Sequence, residues 1–71
     1  MNIKKVFGRN VKKFRNLRGW SQDKLSEVSG LHRTYISGIE RGTRNPTIKI
    51  VHTLAQSLRV TPSDLLTEDN D

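Results

Sequence analysis

No cysteine occurs in the 71 residues, which excludes disulfides and thiolate metal sites as braces for the fold. That absence fits a reducing compartment. No apolar run approaches the roughly 18 residues of a membrane span. The N-terminus lacks the unbroken apolar core of a signal peptide, so the expected location is the cytoplasm. His32 and His52 stand apart, without carboxylate or cysteine company, so no metal site is expected. No nucleophile sits beside a paired base, and no glycine-rich loop opens a helix after a strand. An enzyme is therefore not expected, nor a cofactor.

Acidic residues are also few. Seven Asp and Glu face thirteen Lys and Arg, a net charge of +6. The imbalance is uneven along the chain. Residues 1–50 hold twelve basic and three acidic residues, whereas residues 51–71 hold one basic and four acidic. A basic front and an acidic end point to one face for a polyanion, nucleic acid or a membrane surface, and a separate solvated end. A plain solvated surface would carry the same charge. A chain this short makes one domain and buries only about 60% of its unfolded surface. Without cysteine it must lean on well-packed helices or a partner.

What is present reads as helices. In "IKKVFGRNVKKFRNLRG", Ile3, Phe7, Val11, Phe14 and Leu17 recur at steps of four, four, three and three, one apolar stripe flanked by cations. Gly8 inside it costs about 1 kcal/mol relative to alanine, and Gly19 suits a left-handed stop. In "WSQDKLSEVSG", Ser21 is a good N-cap, Asp23 favours the first turn, and Trp20 with Leu25 has the spacing of a hydrophobic staple. Leu25 and Val28 should face inward. A third helix, "RTYISGIE", has a staple of Leu31 and Ile36 across a weak cap, His32, with Ile36 and Ile39 inside. Thr47 caps a fourth helix whose stripe is Ile50, Val51, Leu54 and Leu58. Thr61, Pro62 and Asp64 open a fifth, close to a capping box. Five short helices over residues 3–66 give an all-α domain at 1–67, followed by an acidic tail at 68–71 expected to fray.

The second and third helices meet across "SGLH", the arrangement of a helix-turn-helix at about residues 21–40. In that geometry the second of the two enters the major groove and the first crosses the backbone. Arginine can reach guanine O6 and N7 with two hydrogen bonds, and threonine can offer thymine a methyl group or either base type a hydroxyl. Gly38 is expected to remove bulk that would hold the helix off DNA.

The stretch "SQDKLSEVSGLHRTYISGIERGTRNPT" resembles the lambdoid-repressor-type helix-turn-helix family, and most of all the controller proteins of restriction–modification systems. The resemblance covers about residues 6–66 and implies a compact five-helix DNA-binding fold. It implies base readers at Arg33, Thr34 and Ser37. It implies that Gln22 contacts a phosphate or clamps the recognition helix, that the loop positions Arg41, Thr43, Arg44 and Asn45 contact phosphates, and that Arg15 pairs with Glu40. Tyr35 is a phosphate contact or half-buried. Arg33 could also be a solvated residue or a phosphate contact, and Thr34 and Ser37 merely small and exposed. The partner implied is a double-stranded operator, bound by a homodimer whose interface is expected at Arg59, Val60, Leu65 and Leu66. Either leucine could instead complete the monomer core. Activation would add RNA polymerase as a partner, while repression needs only occlusion. A phage-type repressor and an antitoxin-type autoregulator stay open beside the controller protein. So do two other classes: a membrane-surface module built on helix 1, and a protein-interaction domain.

Overall fold

The computed structural model describes residues 1–68. Within them lie five helices: α1 Ile3–Leu17, α2 Gln22–Ser29, α3 Arg33–Glu40, α4 Ile48–Leu58 and α5 Pro62–Leu66. The helices start where side chains can serve their unpaired N–H groups. Ser21 Oγ accepts from Lys24 N, and Thr47 Oγ1 accepts from Ile50 N. Thr61 and Asp64 form a reciprocal capping box on α5. His32 makes no side-chain cap, so α3 begins without that help. Its start is fixed by Leu31 and Ile36, which pack with the core instead. Gly30 closes α2 in the left-handed region at φ 77°, a conformation glycine adopts without a Cβ penalty.

One core serves all five helices. Phe7 and Val11 of α1, Leu25 of α2, Ile36 and Ile39 of α3, Leu54, Ala55 and Leu58 of α4, and Leu65 of α5 are buried together. Each fully buried Leu, Ile or Phe contributes about 1.5–3 kcal/mol relative to exposure. Phe14, Trp20, Leu31, Tyr35, Ile50, Val51 and Val60 close the core as half-buried neighbours.

Three apolar positions expected inside are outside. Ile3, Leu17 and Val28 are 48%, 72% and 43% exposed. Ile3 and Leu17 are the terminal residues of α1, and Val28 stands in the last turn of α2. The stripe outlasts the core it faces. Val6 takes an inward place instead, together with a polar residue, Asn10. The Asn10 amide donates to the carbonyls of Leu65 and Thr67, both at 2.9 Å. It thereby ties the C-terminal end of α5, whose last carbonyls lack helical partners, to the middle of α1.

Gly8 marks a close approach of two helices. A Cβ there would lie 2.0 Å from the Ile39 carbonyl oxygen and 3.0 Å from that of Glu40. The end of α3 therefore rests on the α1 backbone itself. That contact fixes how α3 projects from the body, and it accounts for a helix-weakening residue inside α1.

Of the expected acidic tail, Glu68 is exposed and positions 69–71 lie outside the described residues.

Candidate nucleic-acid interface

The inner face of α3 is held by two devices. Ile36 and Ile39 insert into the core. Glu40, at the end of the helix, receives both arms of Arg15: Nε donates to Oε2 at 2.7 Å and Nη2 to Oε1 at 2.9 Å. The two side chains are only 9% and 4% exposed. Arg15 also donates to the Trp20 carbonyl at 2.8 Å, so one guanidinium ties α1, the α1–α2 turn and α3. These hydrogen bonds to Glu40 raise the Arg15 pKa above its ordinary value, although burial opposes the charge. Gln22 completes the knot. Its amide donates to Glu40 Oε1 at 3.1 Å, so of the two roles open to Gln22 its geometry here is that of a clamp on α3.

The outer face is the opposite. Arg33 and Thr34 are exposed and Ser37 is half-exposed. Arg33, Ser37 and Arg41 succeed one another at helical steps of four, and Thr34 stands beside them, so all four share one stripe. Arg41 was expected among the loop residues. It instead sits at the C-cap of α3, and its guanidinium donates to the Ser37 hydroxyl. The four-residue spacing from Ser37 was the signal that could have placed it on this stripe. Arg33 Nε lies 3.4 Å from Asp23 Oδ1 across the turn, and both side chains are largely exposed.

Gly38 lies one turn beyond Thr34, at the edge of that stripe, yet it is covered. It is buried, and a Cβ there would meet Arg44 Cγ at 2.9 Å and Nε at 3.0 Å. The expectation that Gly38 clears a path to DNA is therefore corrected: the space is filled by this chain's own loop. The loop is fastened there by Thr43, whose backbone N–H and side-chain hydroxyl both donate to the Gly38 carbonyl at 3.0 Å. The Arg44 guanidinium then lies 5.5 Å from the centre of the Tyr35 ring, which is half-buried. Thr43, Arg44 and Asn45 remain exposed. The fold thus gathers Arg33, Thr34, Ser37 and Arg41 on one stripe, with Tyr35, Thr43 and Arg44 against the same helix and Gln22 behind it, whereas Asn45 lines a groove with Ile3, Lys4 and Leu66.

The residues expected at a dimer contact divide. Leu65 is fully buried in the core and offers no surface to a partner. It completes the monomer, the second of the two roles weighed for it. Leu66 is 39% exposed, Val60 is half-buried and Arg59 is exposed, so these three stay accessible. Among the described residues no three His, Asp or Glu side chains come together as a metal ion would require, and no helix is long and apolar enough to cross a membrane. In the apolar stripe of α1, Phe7 and Val11 are spent on the core.

This architecture recurs in known proteins. A family model described as helix-turn-helix matches residues 11–65. The control protein C.SmaI of Serratia marcescens is 45% identical over 67 residues, covering 94% of this chain and 80% of the relative. The crystal structure of the restriction–modification controller protein C.AhdI from Aeromonas hydrophila superposes with a TM-score of 0.83 at 37% identity, over 87% of this chain and 94% of that one. SinR, a master regulator of biofilm formation solved in complex with DNA, superposes with a TM-score of 0.81 at 32% identity, over 86% and 98% of the two chains.

Proposed function

This chain belongs to the helix-turn-helix family, and from that premise we infer that it is a sequence-specific DNA-binding transcription regulator of the controller-protein type. The observation that carries the reading is the division of α3 into a fastened face and a free one. Ile36, Ile39 and Glu40 lock the helix to the body, while Arg33, Thr34 and Ser37 stand outward at its N-terminal half. In helix-turn-helix docking that half of the second helix meets base edges in the major groove. Arg33 then takes guanine O6 and N7, and Thr34 and Ser37 supply short polar contacts. Arg41, Tyr35, Thr43 and Arg44 flank the helix where phosphates pass, and Asn45 follows Arg44 in the loop. Gln22 acts from behind by holding Glu40.

One such helix reads only a few base pairs. A homodimer doubles the contacts and places two half-sites about one helical turn, roughly 34 Å, apart. Arg59, Val60 and Leu66 form the contact between protomers. In a restriction–modification setting the operator lies at the protein's own promoter. Occlusion gives repression there, and a contact with RNA polymerase gives activation. The site of action is the cytoplasm. No catalytic role is assigned.

Selection of binding sites from a random duplex library tests this reading. The expected product is a two-fold symmetric motif, with binding that weakens log-linearly as salt rises. Salt-sensitive binding without an enriched motif would leave only non-specific association and would overturn the reading.

A further inference from the structure

We infer that Asp23 is a positioning residue for Arg33 and so sets how strictly this protein reads guanine. The inference rests on the reading of Arg33 as a base contact. Asp23 stands in the first turn of α2, with its side chain 82% exposed on the surface that would face DNA. A bare carboxylate there is repelled by phosphates, so affinity alone gives no reason for it. The helix dipole favours an anion at this place only weakly, and Ser21 already caps the helix.

The contact itself supplies the reason. Asp23 Oδ1 lies 3.4 Å from Arg33 Nε, an ion pair on the Nε edge of the guanidinium. A guanidinium carries five N–H donors in a planar fork. With Nε turned to Asp23, the two terminal nitrogens remain as a parallel pair, the donor set that guanine O6 and N7 accept. Holding the fork before DNA arrives also lowers the rotamer entropy lost on binding. The carboxylate further discourages Arg33 from swinging to a nearby phosphate, a contact that carries no sequence information. Asp23 therefore trades non-specific affinity for discrimination.

The test uses the selected duplex and its single-base variants at the position that Arg33→Ala relaxes. Four proteins are compared: wild type, Asp23→Ala, Arg33→Ala and the double variant, each checked for helicity by circular dichroism. The readout is the ratio of Kd for the variant duplex to Kd for the selected one. Asp23→Ala is expected to lower that ratio about two- to fivefold, the worth of an exposed ion pair, while binding to unrelated duplexes tightens. In the Arg33→Ala background the same change should leave the ratio where it is. Asp23→Asn, which keeps an oxygen acceptor, should fall between. An unchanged ratio in Asp23→Ala, or an equal loss in the Arg33→Ala background, would overturn the inference, because a purely helix-stabilising role of Asp23 persists without Arg33. If wild type enriches no motif at all, the functional reading itself fails and the inference falls with it. A motif with an unchanged ratio removes the inference alone.

Discussion

Two arginine–carboxylate pairs join neighbouring helices here, and they occupy opposite environments. Arg15 and Glu40 meet through two short hydrogen bonds with both side chains nearly out of water. Arg33 and Asp23 meet through one 3.4 Å contact with 56% and 82% of their side chains exposed. The chemistry is the same and the consequences differ. A buried charge cannot lose its partner without a large desolvation cost, so the first pair is committed to the fold. An exposed pair is worth only about 0–1 kcal/mol, so the fold depends on it little, and the terminal nitrogens of Arg33 stay free of it. Burial decides which arginine is committed to the fold and which one is left available to a partner.

Breaking the buried pair should have the largest effect. Glu40→Ala leaves the Arg15 charge alone in a dry site and should destabilise the domain by about 3–5 kcal/mol, read from urea unfolding. Glu40→Gln, which keeps the shape and an acceptor, should cost less. A loss below about 1 kcal/mol in Glu40→Ala would show that the pair is effectively solvated. Next comes the seat on which that pair rests. Gly8→Ala drives a methyl group into the Ile39 carbonyl, 2.0 Å away, and should cost about 1–3 kcal/mol of stability. DNA affinity should fall with it, because α3 must shift; unchanged unfolding would mean that α1 and α3 separate without penalty.

The exposed pair should behave the other way. Arg33→Ala should leave unfolding nearly unchanged and remove about 1–3 kcal/mol of discrimination at one base position. Arg44→Ala sharpens the contrast between reading and holding. It should weaken binding to all duplexes and flatten the salt slope by about one unit. A changed motif with an unchanged slope would make Arg44 a reader instead. The smallest effect is on stability in Asp23→Ala, within about 1 kcal/mol in unfolding.

Helix starts were readable because they depend on local chemistry. Ser21, Thr47 and Thr61 cap where the pattern places them, since an N-cap needs only a short polar side chain and the N–H groups two or three residues on. The inner faces of α3 and α4 follow from the spacing of Ile36, Ile39, Leu54 and Leu58. Periodicity does not say how far along a helix the core extends, so Ile3, Leu17 and Val28 were expected inside and lie outside. Nor does it admit a polar residue, so Asn10 went unmarked, although it follows Phe7 by three on the same helix and its partners are backbone carbonyls distant in sequence. The Arg15–Glu40 pairing came from resemblance; 25 residues apart, the two carry no local signal. Gly38 illustrates the harder case. A glycine on a helix shows that something comes close, but only the fold identifies it as Arg44.

Methylation interference on the selected operator tests the central claim most directly, because guanine N7 faces the major groove. The account predicts that methylating N7 of two symmetry-related guanines, about one helical turn apart, blocks binding by wild type and not by Arg33→Ala. Interference that is the same for both proteins, or that arises only from minor-groove adenine N3, would contradict it.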